Sequence, residues 1–261
     1  MPTSTSTLLN NISLNRTAKP KSYTLPPTPL IPNSPHPLLH YPSLLLPTVS
    51  DPNFTCTTLY DLYRSNGWTP QWVARYGATQ PSHYHSTAHE VMVVIAGEGA
   101  TIRFGVADQD ATCPSQSSPS THEKGDDEHG ENDAGAHEPG GITLTARKGD
   151  VFIVPAGVAH KTYDPRPGPP RPIAFFQCKD EDGNVIREEG KARAFFAGVE
   201  TGREFMMMGA YPDGDEWDFK VGGEHAGRER EVWGLPIPEK DPVLGIDREG
   251  LVGLWKGGGR A

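Results

Sequence analysis

What this chain lacks narrows it first. It has three cysteines in 261 residues, Cys56, Cys113 and Cys178, with no paired spacing. That indicates no disulfide framework and suits a reducing compartment. No apolar run approaches the ~20 residues of a membrane span. Positive charge is not in excess: 24 Lys and Arg face 33 Asp and Glu, a net −9. This argues against nucleic acid or an anionic membrane as partner. No basic start leads into an apolar stretch and a small-residue cleavage site, so no secretory signal is expected. The sequons at Asn11, Asn15 and Asn53 would matter only on a secretory route. The first fifty residues hold no Asp or Glu, and Arg16, Lys19 and Lys21 lend them a faint likeness to a transit peptide. With a single Arg and frequent Pro there, a cytoplasmic protein is the expectation and mitochondrial import the alternative. Hydrophobic residues make up only 35%, so part of the chain is expected to stay unpacked.

The remainder reads as one all-β domain with tails. Residues 1–21 are rich in Ser, Thr and Asn and are expected to form a disordered tail. Residues 22–50 alternate Pro with Leu and Ile, a pattern that excludes a central strand but permits an extended run along the outside of a barrel. Asp51-Pro52 resembles a helix start, Leu59, Tyr60, Leu62 and Tyr63 supply an apolar stripe, and Ser65-Asn66-Gly67 stops it. Short β-like runs follow at 71–76, 90–95, 101–106, 142–146, 151–154, 160–163, 173–178 and 205–211, separated mostly by Gly, Pro or Asp. Many short strands with turn signals indicate a sandwich or barrel. Residues 108–140, rich in Gly, Ser, Asp, Glu and His, read as a disordered insertion between two strands. Residues 187–199 permit a short helix. The C-terminal stretch, with Trp217, Phe219, Trp233 and Trp255 amid turns, reads as an irregular clasp on the barrel.

Two spaced motifs carry the chemistry. From Gly77 the chain reads G-x5-H-x-H-x4-E-x6-G, and from Gly149 it reads G-x5-P-x-G-x2-H-x3-D. His83 and His85 are two apart, so on an extended segment they face one side. Ser86 to His89 make a turn, and Glu90, Met92 and Val94 share one face of the next strand. A hairpin brings Glu90 back opposite the histidine pair, and closure of a barrel places His160, after the Pro155–Gly157 turn, beside the other three. Three neutral imidazoles and one carboxylate suit one divalent transition metal: Fe, Mn, Ni, Co or Zn, the last preferring fewer ligands in total. Four protein ligands leave two octahedral positions open. Met92, Val94 and Phe152 are expected to line the pocket. His89 should point away from the site, and Tyr84 outward. Arg103 reads as a surface charge or, less readily, a clamp for a substrate carboxylate. Cys178 reads as a buried, inert thiol. The histidines of the insertion read as solvated loop residues. Gly97-Glu98-Gly99 lacks a following helix, and His89-Glu90 lacks the second His of a zincin.

These two motifs resemble the cupin superfamily. The first matches at every fixed position; the second has Asp164 where the family usually has Asn, a residue that is not a ligand. The resemblance implies a double-stranded β-helix, or jelly roll, as a single domain over 22–261, with the metal near its mouth. The stretches Gly209–Gly214 and Pro236–Val243 also look like a group of small bacterial and fungal cupins of unassigned activity. The resemblance implies a small-molecule substrate or ligand and raises a homodimer by analogy. Its leading activity is that of a metal-dependent oxidoreductase of dioxygenase or oxidase type, acting on a small acid or phenol. Isomerase or decarboxylase chemistry, and a non-catalytic small-molecule-binding cupin, are the alternatives. No catalytic acid or base beyond the ligands is identified.

Overall fold

The fold follows from strands whose alternate residues must be buried on different surfaces. It is known from a computed structural model, which describes residues 11–109, 135–168 and 173–256. The described strands are β1 (Lys21–Leu25), β2 (Ser34–Tyr41), β3 (Trp68–Arg75), β4 (Glu90–Ala96), β5 (Gly99–Phe104), β6 (Ile142–Ala146), β7 (Val151–Val154), β8 (His160–Arg166), β9 (Ala174–Gln177) and β10 (Met206–Pro212). They form a seven-stranded sheet in the order β1-β2-β7-β4-β10-β3-β9 and a three-stranded sheet in the order β6-β5-β8. Every pairing within them is antiparallel. This is an all-β jelly roll.

Strand β4 shows why. All seven of its residues are buried. Glu90, Met92 and Val94 face the space between the sheets; Met92 and Val94 pack there with Ile102 and Phe104 of β5 and Phe152 of β7. Val91, Val93 and Ile95 face the other way, beneath helices. Those helices are α2 (Cys56–Ser65), α3 (Glu189–Ala197) and α5 (Leu251–Lys256), with the shorter α1 (Leu46–Val49) and α4 (Glu229–Trp233) completing the set. Leu59, Tyr60, Leu62 and Tyr63 of α2 and Phe196 of α3 cover the outer face of the large sheet. Each such buried side chain contributes about 1.5–3 kcal/mol. The thiols of Cys56 and Cys178 are buried and free; burial pushes them up to about 12 and about 11. Among the described residues, no helix is long and apolar enough to cross a membrane.

Three expectations change. The Pro-rich stretch does not run along the outside: β2 pairs with β1 on one side and β7 on the other. Its prolines are tolerated because β7 pairs only with Leu39, His40 and Tyr41. Pro35 and Pro37 precede that ladder, opposite an irregularity in the β1 register, so no donor is lost. Helix α2 begins at Cys56, with Thr55 extended before it, and not at Pro52. Asp51 instead closes a tight turn, its carboxylate accepting from the Asn53 N–H at 2.7 Å. Residues 11–21 are not an unpacked tail. Ser13 and Thr48 exchange hydrogen bonds at 2.9 and 2.8 Å, the Asn15 N–H donates to Leu44 O, and β1 starts at Lys21.

Of the expected tail, residues 1–10 lie outside the described residues, as do 110–134 of the expected insertion. At the insertion's ends Asp108 and His137 form a β-bridge. There the buried Glu138 accepts from Thr28 Oγ1, Leu30 N and Ala107 N.

Candidate metal centre

The two motifs meet through the backbone. His83 and His160 exchange hydrogen bonds, His160 N to His83 O at 2.8 Å and His83 N to His160 O at 3.2 Å, and the Gly157 N–H donates to His85 O at 2.8 Å. Gly157 has φ +87°, and a Cβ there would lie 2.3 Å from Asn33 O, so only glycine fits this turn. From the other side, β4 delivers Glu90 beside His85 and His160. The result is a cluster of three buried imidazoles, His83, His85 and His160, whose ring nitrogens lie within 4.8 Å of one another. Glu90 Oε1 lies 3.5 Å from His85 Nε2, and Oε2 lies 3.4 Å from His160 Nε2.

The hydrogen bonds fix which atoms face the centre. Each imidazole gives its Nδ1–H to a backbone carbonyl: His83 to Pro81 at 3.1 Å, His160 to Val158 at 3.3 Å, and His85 to Asp218. The tautomer is then set, and the three Nε2 lone pairs are left free. Glu90 Oε1 accepts from Tyr211 at 2.6 Å and from the Trp72 indole at 3.2 Å, whereas the buried Oε2 has no hydrogen-bond partner. Imidazole nitrogens gathered beside a buried carboxylate favour a positive charge among them, a proton on His85 or a metal ion. These residues therefore fit a divalent transition metal, a borderline ion that favours imidazole and carboxylate donors.

Protonation points the same way for two of the histidines. Burial, then the neighbouring His160 and His85, holds His83 well below the ordinary imidazole range. Burial likewise brings His160 to about 4. For His85 burial acts downward too, but the adjacent Glu90 carboxylate lifts it above the ordinary value. Burial would raise Glu90; His85, His160 and the Tyr211 hydrogen bond outweigh it, so the carboxyl stays low and ionised.

The cluster forms the floor of a cavity of about 370 Å³ with walls that include Trp72, Tyr76, Met92, Phe175, Trp217 and Phe219. Of the expected lining residues, Met92 reaches it. Val94 and Phe152 do not: they lie deeper in the inter-sheet core, where Phe152 stacks on His40 at 4.5 Å. The β4 alternation does put Val94 on the inner face, but one turn of pleat further from the mouth. Arg103 is neither a surface charge nor part of the cavity wall. It is 3% exposed, 3.9 Å from Asp108 and over the Tyr163 ring. Tyr84 is buried, its hydroxyl 2.8 Å from His225 Nδ1. His89 packs against Trp255, and its Nδ1 accepts from Ala156 N at 3.0 Å.

The C-terminal clasp does more than pack. Asp218 accepts from Ser86 N and Oγ at 2.6 Å each, its own backbone carbonyl holds His85, and Phe219 stacks on His83 at 4.2 Å. Burial would raise Asp218, but the Ser86 hydrogen bonds, with Lys220 and His85, bring it below the usual carboxylate range. Sequence reasoning missed Trp72, Tyr211 and Asp218. For the first two a signal existed, since both lie on the inward-facing parity of strands read correctly. Asp218 carried none, because its role depends on where a loop 132 residues beyond Ser86 comes to rest.

A buried cluster of three histidines that could hold a metal ion, with Glu90 beside it, thus sits within an antiparallel jelly roll. The family profile described as Cupin matches residues 71–199. Among curated proteins, the chain is 24% identical over 193 residues to "Uncharacterized protein YjlB" of Bacillus subtilis (strain 168), covering 73% of each. Among solved structures it matches vicilin from Corylus avellana (hazelnut) with 13% identity and a TM-score of 0.23, covering 68% of this chain and 43% of that one. The chain thus spans less than half of the vicilin's length, and that likeness carries no argument. The match places residues 71–199 of this chain in the cupin family.

Proposed function

We propose that this protein is a metal-dependent enzyme that transforms a small organic molecule by oxidoreductase chemistry of dioxygenase or oxidase type. His83, His85, Glu90 and His160 would hold one divalent transition metal. The observation that carries this reading is the buried cluster of His83, His85 and His160 with the unpartnered Glu90 Oε2 beside His160. When bound, such a metal supplies Lewis-acid polarisation of a donor oxygen and, as Fe or Mn, redox capacity.

The chain's own residues do the rest. Pro81, Val158 and Asp218 carbonyls hold the imidazoles in one tautomer. Tyr211 and Trp72 hold Glu90. The aromatic walls bind the substrate and exclude water. Glu90 is the only carboxylate among the described residues of the cavity wall, and no Lys or Arg joins it. With Glu90 committed to the metal, the wall offers no acid–base pair of the kind a metal-free hydrolase uses. Isomerase or decarboxylase chemistry, or binding without turnover, would use the same site.

The test is metal content per chain on untagged protein, wild type beside His85→Ala. One equivalent of Fe, Mn, Ni, Co or Zn in the wild type, sharply reduced in the variant, is expected. No stoichiometric metal even after reconstitution would overturn the reading. An oxygen-uptake screen on the loaded protein then separates oxidative chemistry from the other two uses of the site.

A further inference from the structure

One short segment of the C-terminal clasp touches both the metal ligands and the mouth of the cavity. Residues 216–221 form no strand or helix, and their one ladder contact is the bridge between Lys220 and Tyr84. They supply two rings of the cavity wall, Trp217 and Phe219. Those rings cover the ligands: Phe219 stacks on His83 at 4.2 Å, and Trp217 stands edge-on to His85 at 5.5 Å. The backbone carbonyl between them, that of Asp218, is the one that receives the His85 Nδ1–H. A displacement of this segment therefore opens the mouth and frees one imidazole in a single movement.

The hold on the segment is polar. None of its six residues is buried, and Glu216 and Phe219 are exposed. It is tied instead to residues 84–87. Thr87 Oγ1 donates to Glu216 O at 2.7 Å, Ser86 N and Oγ each donate to the Asp218 carboxylate at 2.6 Å, and Tyr84 and Lys220 exchange backbone hydrogen bonds at 2.8 and 3.0 Å. An exposed Arg187–Glu216 ion pair and Lys179 over the Trp217 ring add to this. On either side the chain is anchored: Asp215 O accepts from the buried Gln71 amide at 2.9 Å, and Gly223 N donates to Leu30 O at 2.8 Å. A segment pinned at both ends, with polar ties and no buried residue between them, opens locally while the sheets stay folded.

Resting on the reading of the histidine cluster as a metal centre, we infer that residues 216–221 are a gate over that centre, latched by the Asp218 carboxylate on Ser86 and coupled to metal occupancy through the bond from His85 to the Asp218 carbonyl. Fixing the His85 ring on a metal steadies its Nδ1–H against that carbonyl, and Trp217 and Phe219 then close the mouth. The coupling is reciprocal: a gate that opens more often loses metal faster, and a loaded site opens less often. It also sets an order of binding, because two walls that a small molecule needs are in place only when the gate is shut. Asp218 is a positioning residue, acting through His85 and Ser86.

The informative variant is Asp218→Ala, which removes the latch and keeps the backbone carbonyl that holds His85. Two rates are read on the full-length protein: release of zinc into excess chelator, and amide hydrogen exchange of residues 84–87 and 216–221 with and without zinc. Zinc should slow exchange in these two segments about tenfold and leave β4 and β10 unchanged. Asp218→Ala should release zinc about tenfold faster or more, with far-UV circular dichroism and the exchange of β4 and β10 as in wild type. Asp218→Asn, which still accepts from Ser86 N, should stay near wild type. If Asp218→Ala does not fold, Ser86→Ala takes its place, with release several-fold faster. Unchanged release in a folded latch variant, or exchange in 216–221 that zinc does not slow, overturns the inference. If the wild type takes up no zinc, the metal-centre reading fails on its own, and exchange of the metal-free protein decides the gate. Faster exchange in Asp218→Ala, confined to 84–87 and 216–221, then upholds the latch, and equal exchange refutes it.

Discussion

The Tyr211 hydroxyl donates to Oε1 of Glu90 at 2.6 Å across 121 residues of sequence. That bond decides which carboxylate oxygen is free. Oε1 accepts from Tyr211 and Trp72 and lies 3.5 Å from His85 Nε2, which leaves Oε2, 3.4 Å from His160 Nε2, without a hydrogen-bond partner. Burial and the adjacent Glu90 push Tyr211 well above the usual phenol range, so it remains a donor throughout the working pH range. Tyr211→Phe keeps the ring and removes the donor. Metal affinity should fall about 10–100-fold, the usual cost of deleting a partner that orients a ligand. Competition with a chromophoric chelator measures this, with circular dichroism unchanged.

Gly209 carries a second consequence. A Cβ at this position would lie 2.1 Å from the Trp72 indole ring. The absence of a side chain on β10 is what lets the Trp72 ring lie where its N–H reaches both Tyr211 and Glu90. Gly209→Ala should cost about 1–3 kcal/mol by overpacking and weaken metal binding at the same time, because the indole must move. Urea denaturation and chelator competition on the same variant read the two effects. A stability loss with unchanged metal affinity would show that Trp72 does not orient Glu90.

Acid should destabilise the metal-free protein. Burial, then the nearby His36, brings His89 to about 4, and burial brings His160 to about 4, from an ordinary value of 6.5. Between pH 6.5 and 4 the unfolded chain binds protons at these two sites that the folded chain refuses. Stability therefore rises with pH across that window and is lost as pH falls through it, by up to about 1.4 kcal/mol per pH unit for each histidine. His83 adds in the same direction and His85 opposes it. The urea midpoint at pH 7, 6 and 5 should fall with acidity, and His89→Gln should flatten that slope.

Much of the fold was legible because the strands obey local rules. The eight runs from 71–76 to 205–211 each correspond to an observed strand. Alternation placed Glu90 and Met92 on one face of β4 and Val91 and Val93 on the other. Strand β2 was not legible as an interior strand, since proline content says what a strand cannot donate and not where its neighbours stop pairing. The start of α2 was missed because Asp51-Pro52 offers helix-start chemistry that the chain spends on a turn.

The sequence by itself determined the candidate ligand set: His83 and His85 at a spacing of two, Glu90 opening a strand, and the Pro155–Gly157 turn before His160. Local spacing suffices for these, because turn geometry and strand parity act over a few residues. Only the tertiary structure decided the rest. It brought the 217–225 segment back over His83 and His85, took Val94 and Phe152 out of the cavity wall, and set Trp72, Tyr211 and Gly209 around one carboxylate. Those relations join residues 18 to 141 positions apart. They arise from which strands lie side by side and how deep each side chain sits, and short-range spacing carries no record of either.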